Sequence, residues 1–240
     1  MARLFKPWQW EAILPAALLT ASVMPAFPAI AQTAPVAKAP NPAMPLYTSF
    51  EVIEAIKQGG YVMLIRHERT EVPSRADDYT RPPAECRAQR NLSVAGVVSA
   101  SENGALLRAA KIPVSYVIAS PMCRGAETAR YMFGVNFDMD MRLMHHDPSP
   151  DSKRPLDQAA KETRELISEL ASFSDDTNVA LVSHGGNIFK STGLKLTEGE
   201  FGVLKVDEKG EITVIGQFTG STLGFYIRMK QAEEAAGEKE

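Results

Sequence analysis

Four histidines occur in 240 residues, and two of them stand directly beyond apolar runs. Arg66-His67 closes "YVMLI", and Ser183-His184-Gly185-Gly186 closes "NVALV". A third such run, "VSYVIA", is followed by Ser120-Pro121 and then Arg124. Two imidazoles and two guanidiniums suit a delocalised anion. A phosphoryl group spreads its charge over several oxygens, and Arg meets that geometry with paired N–H donors. A neutral imidazole can attack phosphorus and hold it covalently, which divides one difficult displacement into two easier ones. A second histidine can bond the equatorial oxygens as charge builds on them. Neither step calls for a metal or an organic cofactor.

Residues at strand ends meet only if the strands lie side by side and point the same way. The runs "YVMLIRH", "VSYVIAS" and "NVALVSH" read as buried strands. Between and around them lie the helical patterns "SVAGVVSASENGALLRAAK", "CRGAETARYMF" and "RPLDQAAKETRELISELASF". Alternating strands and helices predict a three-layer α/β/α domain with a mostly parallel central sheet. Ligands bind such sheets outside the carboxyl ends of the strands, so Arg66, His67, Arg124 and His184 are expected at one edge. Val94, Val97 and Val98 share a helical face, as do Leu156, Ala160, Thr163, Ile167 and Leu170, and both stripes are expected to face the core. "YTSFEVIEAIKQGG" predicts a short amphipathic helix, and "GVLKVDEKGEITVIGQF" a hairpin turned at Glu208-Lys209-Gly210. From Glu68 to about Arg90 runs a loop with Pro73, Pro82 and Pro83. A loop of that length inside a compact domain is usually functional or disordered.

The chain ends read differently. Arg3, Lys6, the apolar "AILPAALLT" and the Ala29-x-Ala31 pattern predict a secretory signal over residues 1–31, cleaved near Ala31. Pro15, Pro25 and Pro28 interrupt the run before it reaches the roughly 20 apolar residues that a bilayer span needs. The mature chain is therefore expected to hold no stable membrane span and to be periplasmic or secreted. Residues 32–46, rich in Pro and Ala, read as an extended linker, 47–230 as the domain, and 231–240 as a polar, solvated tail. Removing Arg3, Lys6 and Glu11 takes the formal charge from −3 to −4. That mild acidity argues against a nucleic-acid binder. Cys86 and Cys123 could pair in an oxidising compartment, or be two small half-buried residues.

Taken in order, these pieces resemble the first branch of the histidine phosphatase superfamily, with its phosphoglycerate mutase-like fold. The family's "RHGxT" stands here as "RHERT", its "SSPxxRAxxTA" as "ASPMCRGAETA", and its late "SHGG" is unchanged. "CRAQRNLSVAG" followed by "SPMCR" is similar to a bacterial group with "C-x-x-QRNLS" and a cysteine before the second arginine. The match runs from about Tyr61 to Asn187. It implies that His67 is the nucleophile that becomes phosphohistidine and that Arg66, Arg124 and His184 form the phosphate pocket. Thr70 would add a hydroxyl contact, and Glu127 a structural one. The implied activity is metal-independent phosphomonoester hydrolysis on a small phosphorylated substrate, sugar phosphates included. Export would remove glycolytic intermediates, so mutase activity is not expected.

Two positions depart from the family pattern. Glu68 replaces its usual glycine and puts a carboxylate beside an anion site, so this side chain is expected to turn away or to pair with an arginine. The family's general acid is a glutamate in a stretch like "xRLxE"; here "MRLMHHDPSP" offers His145, His146 and Asp147 instead. A histidine of near-neutral pKa can donate a proton, and so can a buried aspartic acid. These three read equally well as a polar loop; as adjacent residues they make a poor metal site. The long loop carries Arg69, Arg75, Arg81 and Arg87 against Glu71, Asp77, Asp78 and Glu85; it is expected to cover the pocket and select the leaving group, its arginines binding further anionic groups, or else to be a self-paired, solvated surface. The rival class of function is a non-catalytic phospho-ligand binder that kept the pocket and lost turnover.

Overall fold

The strand that carries Arg66 is apolar throughout because both of its faces are covered. The computed structural model describes residues 48–72, 75–149, 151–170 and 176–237. In it this strand, β1 (Val62–Arg66), lies inside a six-stranded sheet. Met63 and Ile65 enter one apolar cluster and Val62 and Leu64 the opposite one, all four at most 4% exposed. Each fully buried side chain of this size contributes roughly 1.5–3 kcal/mol by leaving water. A one-residue slip would exchange the two faces, so the core itself fixes where Arg66 and His67 emerge.

The remaining strands are β2 (Val114–Ala119), β3 (Asp138–Met139), β4 (Asn178–Ser183), β5 (Phe201–Val206) and β6 (Ile212–Phe218). Their order across the sheet is β3-β2-β4-β1-β5-β6. The pairs β1–β4, β4–β2 and β2–β3 are parallel; β5 runs antiparallel to β1 and forms the expected hairpin with β6. Helices α1 (Ser49–Ile56), α2 (Val94–Ala109), α3 (Cys123–Phe133) and α6 (Gly220–Gly237) pack on the cluster that holds Met63 and Ile65. Helices α4 (Leu156–Glu169) and α5 (Gly185–Thr192) cover the other face. The architecture is the three-layer α/β/α sandwich that the alternation of patterns predicts. The expected signal and linker, residues 1–31 and 32–46, lie outside the described residues.

Two details differ from the expectation, and a third decides between alternatives left open. Ser93 caps α2 by accepting from the Gly96 amide, but Val94 and Val98 are 84% and 49% exposed. The buried face is Gly96, Ala100, Asn103, Gly104 and Leu107. Small residues win because the backbones come close: a Cβ on Gly104 would lie 2.1 Å from the Met132 carbonyl oxygen, and one on Gly96 2.1 Å from that of Arg69. At the other end, α6 continues through the expected tail to Gly237, with residues 231–237 exposed. Finally, the long loop is joined to the domain: Cys86, in a short 3-10 turn, forms a disulfide with Cys123 at the start of α3, Cα atoms 5.6 Å apart.

Closing a loop of 37 residues with a disulfide stabilises a fold by about 2–4 kcal/mol, chiefly by restricting the unfolded chain. Thiol titration of the unreduced, unfolded protein should therefore find no free cysteine, and a Cys86→Ser/Cys123→Ser variant should unfold at markedly lower denaturant. Equal midpoints would contradict this tether.

Candidate active site

Strand register brings the two histidines together. Arg66 pairs with Ser183 across the parallel β1–β4 ladder, so the next residue on each strand, His67 and His184, leaves the same sheet edge. The His67 amide still donates to the Ser183 carbonyl at 3.0 Å, and the two rings lie 5.2 Å apart, centre to centre. On the other side of β4, Ala119 pairs with Val182, which puts Ser120 beside His184. Ser120 Oγ lies 2.7 Å from His184 Nε2.

Hydrogen bonding sets the imidazole chemistry. His67 Nδ1 is 2.8 Å from the Glu68 carbonyl oxygen. A carbonyl only accepts, so Nδ1 carries the proton and Nε2 presents a lone pair, the state a nucleophile needs. Burial pushes the His67 pKa well below its ordinary value, and the nearby Arg124 charge adds to the effect. His184 is shifted the same way by burial, then by Arg124 and His67. Both rings are therefore neutral near pH 7. Ser120 Oγ accepts from the Met122 amide at 3.3 Å and keeps its own proton to donate; given to His184 Nε2, it makes Nδ1 the ring's N–H donor.

Arg124, in the first turn of α3, is fully buried. Its Nη1 and Nη2 each donate to one oxygen of Asp77 at 2.9 Å. Burial alone would raise the Asp77 carboxyl, but the bonds from Arg124 and its charge outweigh that and hold the group below the usual range. Arg66 donates to the Leu196 carbonyl at 3.0 Å and lies 3.6 Å from Glu198. Among the described residues, Arg66 Nε, Arg124 Nε and His184 Nδ1 are buried without a protein partner. Buried polar groups are nearly always satisfied, so three such atoms around one histidine pair mark a place for ligand oxygens.

The sequence-derived candidates divide clearly. Arg66, His67, Arg124 and His184 converge. Thr70 does not face them with a free hydroxyl, because its Oγ1 donates to Glu198 at 3.2 Å. Glu68 turns away, as expected: it is fully buried, accepts from Asn103 at 2.6 Å, and its pKa is raised by burial against hydrogen bonds from Ser99 and Asn103. Its space exists because residue 199 is glycine, at φ +80°, where a Cβ would lie 2.5 Å from Glu68 Oε2.

Of the three acid candidates, His145 is at the site, its ring edge-on to that of His184 at 5.2 Å. Its Nδ1 lies 2.6 Å from both the His146 carbonyl and Tyr79 Oη. Burial, then His146 and Arg124, push its pKa down to about 4. His146 packs over Gly186, where a Cβ would come within 3.0 Å of its ring. Asp147 accepts from the Ser149 amide and hydroxyl, which lower its pKa and make it an ionised acceptor rather than an acid. Asp77, Tyr79 and Glu198 carry no motif signal; Ser120 stands at a strand end and inside the matched "ASPMCRGAETA" stretch. Beyond Glu198 a cavity of about 610 Å³, lined by Arg69, Asn103, Gly199 and Arg228 among others, contains none of the four converging residues.

No protein-family model matches this sequence, nor does any curated protein. Solved structures do match. Phosphoserine phosphatase from Entamoeba histolytica, in complex with 3-phosphoglyceric acid, is 14% identical and superposes with a TM-score of 0.53, covering 66% of this chain and 96% of that one. A mycobacterial glucosyl-3-phosphoglycerate phosphatase is 19% identical with a TM-score of 0.50, covering 65% and 97%. The fold is phosphoglycerate mutase-like. At this identity the likeness speaks for the fold alone, and the phosphoglycerate mutase-like sheet has its converging histidines at the edge where an α/β sheet binds ligands.

The depressed histidines make stability depend on pH. Their contribution is complete above about pH 6.5, where the unfolded rings are also neutral, and is lost as pH falls toward the folded values. His67 and His184 both act in this sense, and so does His145, down to about 4. Glu68, with its raised pKa, works in the opposite sense. Denaturation midpoints should therefore fall from pH 7 to pH 5, with a shallower fall in His184→Gln; a flat profile would contradict the buried, neutral pair.

Proposed function

We propose that this chain is a phosphomonoester hydrolase that works without a metal, through a phosphohistidine on His67. The observation that carries this reading is the set of buried nitrogens, Arg66 Nε, Arg124 Nε and His184 Nδ1, left without protein partners around the His67–His184 pair. In the first step the His67 Nε2 lone pair attacks phosphorus, the ester P–O bond breaks, and the leaving oxygen takes a proton. In the second, water attacks phosphorus and gives its proton to the group that protonated the leaving oxygen, the P–N bond breaks, and inorganic phosphate leaves. Arg66, Arg124 and His184 hold the phosphoryl oxygens through both steps, with donors fixed in advance by burial. His145 is the general acid: its ring lies 5.2 Å from that of His184, and an arriving phosphoryl anion raises its pKa. The neighbouring solved structures support a small phosphorylated substrate, since one of them holds 3-phosphoglyceric acid. The disulfide suits an oxidising compartment, in keeping with export after cleavage near Ala31.

One observation favours a second reading, a phospho-ligand binder without turnover. With a pKa of about 4, His145 carries little proton near pH 7. Steady-state phosphate release by residues 32–240 in EDTA decides between them. Hydrolysis of an aryl phosphate should persist in EDTA and vanish in His67→Ala. His145→Gln should slow an alkyl phosphate by about 10²–10⁴-fold, the scale of general acid catalysis, and an aryl phosphate far less, because its leaving group needs no proton. Binding of vanadate without any turnover would establish the binder instead.

A further inference from the structure

Asp77 belongs to no motif, yet it takes both terminal nitrogens of the buried arginine on which the phosphoryl reading depends. Arg124 is 0% and the Asp77 side chain 11% exposed. The carboxylate is also fixed from behind: the Arg90 amide donates to its Oδ1 at 2.9 Å, and the Asp78 amide to the Ala88 carbonyl at 2.8 Å. Gln89 accepts from the Cys123 amide at 3.1 Å, and the Cys86–Cys123 disulfide ties this loop to the residue just before Arg124. Such tethering presents the carboxylate to Arg124 at high effective concentration. Arg66 has no equivalent, since its nearest carboxylate, Glu198, stands off at 3.6 Å.

We propose that Asp77 is the resident counter-ion of the phosphoryl site and sets its affinity for phosphate. This rests on Arg124 belonging to that site, as inferred above. A buried guanidinium with no partner is strongly destabilising. Asp77 removes that penalty whenever no anion is bound. An arriving phosphoryl group reaches Arg124 through Nε, and then two negative groups share one guanidinium. At an effective dielectric constant near 20, like charges a few ångströms apart repel enough to change affinity by at least tenfold. The part of Asp77's stabilisation that is lost when the ligand arrives lowers the ligand's apparent affinity by the corresponding factor. For a hydrolase the consequence is useful: the product, inorganic phosphate, leaves a site that already has its own anion.

The test is calorimetric titration of the full disulfide-bonded chain with orthovanadate and with inorganic phosphate. Wild type, Asp77→Asn, Asp77→Ser and Arg124→Ala are compared, with melting curves in the same buffers. Both neutral Asp77 variants should bind vanadate about 10–100-fold more tightly. Without phosphate they should melt below wild type, and they should gain more than wild type when it is added. If Asp77→Asn folds only with phosphate present, that supports the proposal, and Asp77→Ser supplies the affinity comparison. Equal or weaker vanadate binding by both variants overturns it, and the carboxylate then merely orients Arg124. Undiminished vanadate binding by Arg124→Ala would instead remove the phosphoryl-site reading itself, whatever Asp77 does. Neither outcome depends on turnover.

Discussion

The site depends on one pairing, Arg66 opposite Ser183 in the parallel β1–β4 ladder. From it follow the neighbouring exits of His67 and His184 and the presence of Arg66 at the same edge; the β2–β4 pairing adds Ser120 beside His184. The register is held by residues with no chemical role: Val62 to Ile65 on one strand and Val179 to Val182 on the other, sorted by alternation into two dry clusters. Changing the chemistry there would require changing the core. The antiparallel neighbour β5 is preceded by Glu200, whose carbonyl accepts from the Arg66 amide at 3.2 Å and so pins the strand end from its other side.

Electrostatically the site is a balance between burial and charge. Two arginines are placed beside two histidines, and the arginine charge helps keep the rings unprotonated. A neutral His67 is what nucleophilic attack needs, whereas cationic arginines are what a phosphoryl group needs; the same few ångströms supply both because guanidinium holds its proton and imidazole gives it up. The positive charge is in turn moderated by carboxylates from outside the strand ends. Asp77 meets Arg124, and Glu198 lies near Arg66 and Arg90. Glu68 is the exception, turned into a polar niche formed by Asn103 and by the missing side chain of Gly199.

The strands and the four converging residues were legible in the sequence because apolar runs ending in Arg, His or Ser leave a local trace. The face of α2 was not: Val94 and Val98 form the more apolar stripe, but close backbone approach at Gly96 and Gly104 decided the packing. Such approach is a tertiary fact. The same holds for Asp77 and Glu198, single carboxylates in loops without periodicity, which acquire meaning only from the arginines that fold next to them.

The central claim is covalent: a phosphoryl group spends part of the cycle on His67 Nε2. Rapid acid-free quenching of wild type with a phosphomonoester, followed by peptide mass spectrometry under alkaline conditions, tests it most directly. One added phosphoryl group is expected on the peptide containing His67, stable in base, lost in mild acid and missing from His67→Ala. Steady hydrolysis with no such adduct, or an adduct that persists in His67→Ala, would contradict it.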